Sequence, residues 1–306
     1  MAKKNRARRN NSTTAAQAAE ETTPAVPPGK RPFRWDLVIV FLTITIGGTY
    51  LALYLRPQMS APEYTFEVIA EYPHDPDAFT QGFYIDEDCE TIWESTGKYG
   101  QSTVRETRLS TGEVVNRFDL PEDEFGEGVT LWTDKDGNEQ LVQLTWKAGN
   151  AYFYDKQLQL QRTVEYENPT QGWGITHDGT HLIVSSGTSV LRFLDPETLE
   201  EVRSIRVRNK GRGVNQLNEL EYYNGKIFAN QWQTDYIYEI DPAGGTVESV
   251  INLDGLWPYS ERPSSECVLN GIAIWFDADK RTTRMFVTGK LCPKVWEIEL
   301  RLKEEE

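Results

Sequence analysis

One spacing constrains this chain more than any other feature. Gly82, Gly128, Gly174, Leu220 and Gly271 stand 46, 46, 46 and 51 residues apart, and near-constant periods of this size mark repeat architectures. The same pattern follows the anchors: an apolar strand, a polar turn and a returning strand. Gly82-Phe83-Tyr84-Ile85 returns through Thr91-Ile92-Trp93, Ile175-Thr176 turns at Asp178-Gly179 into Leu182-Ile183-Val184, and Leu220 to Tyr223 turns at Asn224-Gly225 into Ile227-Phe228-Ala229. Further strands fill each interval, such as Val104 to Leu109 and Val114 to Phe118 around Ser110-Thr111-Gly112. Two hairpins per interval make four strands per unit, and five units closing on themselves make an all-β, five-bladed β-propeller, whose ring leaves only short edges. An anchored β-sandwich is the alternative, and five near-equal intervals argue against it.

The repeat does not reach the N-terminus. Leu37 to Leu55 is a run of 19 residues without a charge, closed by Asp36 and Arg56. As a helix it spans about 28 Å, close to the roughly 30 Å core of a bilayer. A cleaved secretory signal fits less well, because the apolar stretch is long and no small-residue cleavage pattern follows it. Eight Lys or Arg precede the segment, which places the N-terminus in the cytoplasm and everything after Arg56 outside it. The expected organisation is a basic, disordered tail (1–35), one transmembrane helix (36–56), a linker (57–63), the propeller (64–302) and an acidic tail (303–306).

Charge narrows the function. Residues 1–35 carry +6, so the remaining 271 carry 24 basic against 45 acidic residues, or −21. Such a surface repels phosphate backbones, and nucleic acid is not an expected partner. No Walker loop, no dinucleotide Gly fingerprint and no zinc-type Cys pairing is present. With only His74, His177 and His181, a histidine metal cage or a catalytic triad has little material, and no metal site is assigned.

A hairpin returns to where it started, so residues just before each first strand and just after each second strand share one mouth of the ring. Before the anchors stand Phe79-Thr80-Gln81, Phe125-Gly126-Glu127, Gly172-Trp173, Asn218-Glu219 and Asn270. At the returning ends stand Glu94-Ser95-Thr96, Thr145-Trp146, Gln231-Trp232-Gln233 and Thr288-Gly289-Lys290. Aromatic walls with a few placed polar groups are what a small polar ligand needs. Each residue has a structural alternative. Trp146, Trp173 and Trp232 can pack between blades, Glu127 can cap a turn, Lys290 can end a strand in solvent, and Gln81 and Asn218 can satisfy backbone groups. Recurrence at one mouth favours the functional reading.

The words Phe79-Thr80-Gln81-Gly82, Glu94 to Gly100, Phe125-Gly126-Glu127-Gly128, Leu217 to Glu221 and Val287-Thr288-Gly289-Lys290 resemble the plant and bacterial type of glutaminyl-peptide cyclotransferase, over roughly residues 64 to 300. That resemblance implies a five-bladed propeller. It also implies an acyltransferase that converts the N-terminal glutamine of peptides or proteins to pyroglutamate and releases ammonia, with no cofactor in catalysis. By matching motifs, Glu127 would be the acid–base residue, Lys290 and Asn218 would stabilise the developing charge, and Gln81 would orient the substrate. Phe79, Phe125, Trp146, Trp173 and Trp232 would wall the pocket. Burial among aromatic rings should raise the pKa of Glu127. The resemblance also implies, as for some members of that family, a structural calcium held by backbone carbonyls in the channel. Two alternatives stay open: an envelope propeller that binds peptide or glycan without turnover, and a scaffold that organises partners. The presence of both Glu127 and Lys290 favours the enzyme, here expected to be a monomer tethered outside the cytoplasm by one helix. Cys267 and Cys292 fall near the same mouth and are expected to form a disulfide, with Cys89 free.

Overall fold

A computed structural model describes residues 61–166 and 171–304. The Leu37 to Leu55 segment and the tail before it lie outside these residues. Among the described residues, no helix is long and apolar enough to cross a membrane.

The described chain is all-β. It opens with β1 (Glu63–Pro73) and continues with β2 (Thr80–Ile85), β3 (Thr91–Thr96), β4 (Thr103–Arg108) and β5 (Val114–Asp119), which form one four-stranded sheet. A second sheet holds β6 (Gly126–Thr133), β7 (Glu139–Thr145), β8 (Asn150–Tyr154) and β9 (Leu160–Glu165). A third holds β10 (Ile175–His177), β11 (Leu182–Val184), β12 (Val190–Leu194) and β13 (Glu201–Arg206), followed by a small hairpin of β14 (Arg208–Asn209) and β15 (Arg212–Gly213). Then come β16 (Leu217–Tyr223), β17 (Lys226–Gln231), β18 (Tyr236–Ile240) and β19 (Val247–Asn252), and finally β20 (Leu269–Asp277), β21 (Thr282–Gly289) and β22 (Lys294–Leu302). These last strands join in one eight-stranded sheet ordered β16-β17-β18-β19-β1-β22-β21-β20.

Local sequence explains the hairpins. Asn224 and Gly225 both take positive φ, 49° and 78°, between the paired residues Tyr223 and Lys226. This is the geometry that a two-residue hairpin turn demands and that Asn-Gly adopts at little cost. Strands β5 and β9 alternate exposed and half-buried residues, as outer strands do, whereas β6 is buried at every position but its last.

The first strand of each unit faces its neighbours in a closed ring: β2 meets β6, β6 meets β10, β10 meets β16, β16 meets β20, and β20 meets β2. Three of the five anchors, Gly82, Gly128 and Gly174, are glycine because the neighbouring backbone occupies the place of a side chain. A Cβ on Gly82 would lie 2.2 Å from Val129 N, and one on Gly174 would lie 2.1 Å from Asn218 O. The apolar core follows the same ring and divides among the faces between adjacent sheets. Trp93 and Val104 of the first sheet pack with Leu131 and Leu141 of the second, Val142 and Phe153 of the second with Leu182 and Val184 of the third, and so on round to Phe83 and Ile92 against Phe286 and Val295.

Closure needs a strand that the repeat reading did not place. After Gly271 only β20, β21 and β22 remain, and β1 supplies the fourth, antiparallel to β22 from Tyr64↔Leu302 to Pro73↔Lys294. The expected Cys267–Cys292 disulfide is not formed. All three cysteines are buried free thiols, and each of the two turns to a partner in its own loop, Cys292 Sγ to the Lys294 carbonyl at 3.4 Å and Cys267 Sγ to Ser264 Oγ at 3.5 Å.

Candidate active site

The register of the inner strands positions the site. Strand β2 bulges between Thr80 and Gly82, β6 between Gly126 and Val129, β16 between Leu217 and Leu220, and β20 between Leu269 and Ile272. A bulge inserts one residue that the ladder cannot pair and re-aims its side chain. The residues in these bulges include Gln81, Glu127, Asn218 and Asn270. All four are buried, and in each a side-chain oxygen (Gln81 Oε1, Glu127 Oε2, Asn218 Oδ1 and Asn270 Oδ1) has no hydrogen-bond partner within the protein. Buried polar atoms without partners are rare enough to need a reason, and four at equivalent places point to a ligand.

Three of them face one cavity of about 260 Å³, lined by Phe79, Gln81, Phe125, Glu127, Trp146, Trp173, Asn218, Trp232, Gln233, Ser265, Glu266 and Lys290. All nine residues nominated from sequence are therefore brought together. Gln233, although adjacent to Trp232, was not nominated, and Ser265 and Glu266 arrive on the loop before β20. No periodic signal marks that loop. Asn270 sits in its bulge outside the lining, and its Nδ2 donates to the Thr80 carbonyl at 3.0 Å.

The walls are a chain of edge-to-face rings: Phe79 to Phe125 at 6.1 Å, Phe125 to Trp146 at 5.6 Å, and Trp173 to Trp232 at 5.7 Å between centroids. Trp146 and Trp173 both donate their indole N–H to Gln171 Oε1, the latter at 3.1 Å. Gln171 thus ties two walls together through one acceptor, a role that nothing in the local sequence announces.

Glu127 and Lys290 carry the electrostatics. Burial pushes the Glu127 carboxyl up to about 8, with Lys290 opposing the shift. Burial pulls the Lys290 ammonium down to about 8, opposed by Glu127 and Glu266. Each group is thus held close to its proton-transfer point, the condition for acid–base work near neutrality.

A second, larger cavity of about 430 Å³ lies at the other ends of the same inner strands, lined among others by Tyr84, Thr130, His177, Glu221 and Trp275. Among the described residues no group of three or more His, Cys, Asp or Glu side chains is placed to hold a metal ion. A channel calcium also fits poorly with the carboxyls between the inner strands. Glu219 Oε2 accepts the Ile272 N–H at 2.9 Å and Glu221 Oε1 the Ile274 N–H at 3.2 Å. Each thus commits one carboxyl oxygen to a backbone N–H, and burial raises the pKa of both, which disfavours the ionised form that calcium prefers as a ligand.

A ring of β-sheets with an aromatic cavity, a buried carboxyl and a buried amine at one mouth defines a propeller-like protein equipped for acid–base chemistry on a small polar group. Comparison with known proteins makes this specific. Residues 41–300 match the glutamine cyclotransferase family, and the chain belongs to it. It is 43% identical over 241 residues to a glutaminyl-peptide cyclotransferase of Arabidopsis thaliana, covering 77% of this chain and 71% of that one. The crystal structure of Myxococcus xanthus glutaminyl cyclase superposes with a TM-score of 0.70 at 34% identity, over 79% of this chain and 99% of that one.

Proposed function

We propose that this chain is a five-bladed propeller that converts N-terminal glutamine of peptides or proteins to pyroglutamate with release of ammonia. The observation that carries the reading is the set of unpartnered oxygens on Gln81, Glu127 and Asn218 around one aromatic cavity that also holds Lys290. The blade count is supported by five anchors, the closed ring of first strands and the inter-sheet clusters that follow it.

In the reaction the α-amine nitrogen attacks the side-chain Cδ, a C–N bond forms, and negative charge collects on the amide oxygen. Glu127 takes the proton that the amine must lose. Lys290 and the Nδ2–H of Asn218 stabilise the oxyanion. The intermediate then collapses: Glu127 returns its proton to the amide nitrogen, that C–N bond breaks, and ammonia leaves. Gln81 orients the substrate amide, while Phe79, Phe125, Trp146, Trp173 and Trp232 exclude water and hold the short side chain in its cyclising conformation. The same carboxyl serves as base and then acid, which a pKa near working pH permits.

The 19 uncharged residues Leu37 to Leu55 and their basic flank support a membrane anchor with the catalytic domain outside the cytoplasm, so the substrates would be exported peptides. The direct test is to incubate the full chain with a peptide bearing N-terminal Gln and follow ammonia release. Ammonia with a matching loss of 17 mass units from the peptide, about the mass of NH₃, is the expected result, and binding without turnover would leave the non-catalytic propeller in its place.

A further inference from the structure

The mechanism leaves unused a buried charged cluster beside the site. His74, directly after β1, donates its backbone N–H to the Pro293 carbonyl at 3.0 Å. Its Nδ1 lies 2.6 Å from the Cys292 carbonyl and its Nε2 lies 2.9 Å from Glu94 Oε1. A carbonyl can only accept, so Nδ1 carries a proton. Glu94 is completely buried and takes three further hydrogen bonds and ion contacts: Thr80 Oγ1 at 2.7 Å, Arg105 Nε at 2.9 Å and Arg105 NH2 at 2.8 Å. With the Arg105 guanidinium set against its Oε2, Glu94 is a carboxylate and must also accept from His74, so Nε2 carries a proton too. The ring is an imidazolium held between two acceptors.

The other charged groups around it are Asp75, whose Oδ2 takes Arg105 NH1 at 2.7 Å, and Arg108, which lines the same small cleft. The Phe83 ring stands edge-on at 6.5 Å. Burial alone disfavours the charged imidazole, and the Glu94 charge with both hydrogen bonds overturns that and raises its pKa. Glu94 in turn is held below the usual carboxylate range by Arg105 and His74, against its burial.

What this cluster ties together matters for the site. Glu94 grips Thr80, which lies between Phe79 and Gln81. His74 grips Cys292 and Pro293, two and three residues past Lys290, and the Leu291 N–H reaches the Ala78 carbonyl at 2.6 Å. The segment that carries Lys290 and the strand that carries Phe79 and Gln81 are thereby fastened to one buried ion pair.

We propose that His74 is a positioning residue for the reaction: clamped as an imidazolium between Glu94 and the Cys292 carbonyl, it sets Lys290 against the Phe79–Gln81 strand and acts on turnover through Lys290. This rests on the cyclase reading. The test compares kcat and KM for a peptide with N-terminal Gln in the full-length wild type, His74→Phe, Lys290→Met and the double variant. His74→Phe keeps the ring and removes both donors. It is expected to lower kcat by roughly ten- to hundredfold, the scale of a misplacement of about 1 Å, with KM changed by less than about threefold. In the Lys290→Met background the same change is expected to cost less than about twofold, because its target is already gone. Equal losses in both backgrounds, or no loss in either, overturn the proposal. A wild type without turnover defeats the cyclase reading instead. The clamp itself is read in the wild type by ¹⁵N NMR of the histidine rings, assigned with His177→Asn and His181→Asn, so that a His74→Phe chain that fails to fold does not remove the test. One ring with both nitrogens protonated at pH 8 is expected, and a neutral tautomer at His74 overturns the proposal.

Discussion

Lys290 Nζ lies 4.8 Å from the centroid of the Phe79 ring. Lys290 is buried at the cavity wall, and the π face of Phe79 together with the charge of Glu127 across the site favours its ammonium form there. Because each of the two ionisable groups depends on the other, they titrate as a pair.

Turnover should follow that pair. The productive state has Glu127 ionised and Lys290 protonated. Activity therefore rises as pH climbs through the raised pKa of Glu127, about 8, and falls as Lys290, lowered to about 8, loses its proton. The expected kcat/KM profile is a narrow bell on the alkaline side of neutrality, not one with an acid limb near 4.5. Lys290→Met removes the positive charge that favours ionised Glu127, so the acid limb of its residual activity moves to higher pH. A limb that stays in place, or moves down, contradicts the pairing.

Glu127→Gln separates chemistry from stability. The amide cannot accept the amine proton, and turnover should fall by at least about 10³-fold, within the range general acid–base catalysis supplies. The folded protein keeps the Glu127 proton well above the ordinary carboxyl value of 4.5, while the unfolded chain loses it there. Between pH 4.5 and about 8 the folded state thus binds more protons, and this carboxyl costs more stability as pH rises. At pH 6 the amide replaces an already neutral carboxyl of the same shape. The melting temperature at that pH is expected to shift by no more than about 2 °C. A large drop in the melt would mean that Glu127 is structural.

How far the sequence could be read depends on what each feature leaves in it. The anchors are legible because close backbone approach forbids a Cβ at Gly82 and Gly174, so the geometry appears directly as residue identity. The turns are legible for a similar reason, since Asn224-Gly225 must take positive φ. The bulges that turn Gln81, Glu127 and Asn218 toward the cavity leave no residue type of their own. The three residues are legible through their position beside the anchors and through the family motifs that hold them, while the bulges themselves are not. Strand β1 escaped because its partner β22 lies more than 200 residues away and no repeat copy precedes it. The disulfide was misjudged because nearness at one mouth does not fix which way a thiol points, and Cys267 and Cys292 each turn to an oxygen in their own loop.

Gln171 offers a test of the wall. Its Oε1 receives the indole N–H groups of Trp146 and Trp173, which come from different sheets. Gln171→Leu removes the acceptor and leaves two largely enclosed donors without it, at about 1–3 kcal/mol each if water cannot reach them. The rings then lose their fixed tilt. KM for a Gln-peptide should rise by about five- to twentyfold with a smaller change in kcat, as expected when binding orientation is lost and the acid–base pair is intact. Gln171→Glu keeps an acceptor and should recover most of the loss. Equal effects of both substitutions would show that the shared acceptor is not what matters.

The loop that brings Ser265 and Glu266 to the cavity hangs on Arg262. Its guanidinium lies 3.9 Å from the Tyr259 ring centroid, donates twice to the Trp257 carbonyl and pairs with Asp235 at 2.7 Å, with side-chain exposures of only 3% and 6% for the two ions. Removing one member of a buried pair strands the other charge, so Asp235→Ala should cost about 3–5 kcal/mol in urea unfolding. An exposed pair such as Lys294–Glu71, with exposures of 45% and 48%, should cost less than about 1 kcal/mol when broken. If the loop is a working part of the site, Asp235→Ala assayed below its melting range should also raise KM, because Glu266 and Ser265 lose their fixed place at the rim. Unchanged KM with reduced stability would assign the Arg262–Asp235 pair to the fold alone.

Gly97 shows how the aromatic wall reads back into sequence. It lies just past β3, where its N–H donates to the Phe79 carbonyl at 2.9 Å, and a Cβ there would lie 2.3 Å from Phe125 Cε1 and 2.5 Å from Cζ, so the ring rests directly on its backbone. The obstacle is the side chain of a wall residue, and Phe125 can yield only by tilting among the rings it meets edge-on, Phe79, Tyr99 and Trp146. Gly97→Ala should therefore leave the fold in place, at a cost of about 1–3 kcal/mol for overpacking. It should narrow the cavity from one side and raise KM by about tenfold while the pH profile set by Glu127 and Lys290 keeps its shape. The decisive measurement is that profile. If Gly97→Ala moves the bell as well as KM, the ring and the acid–base pair are coupled more tightly than their separate positions imply, and the wall takes part in setting the pKa values that turnover needs.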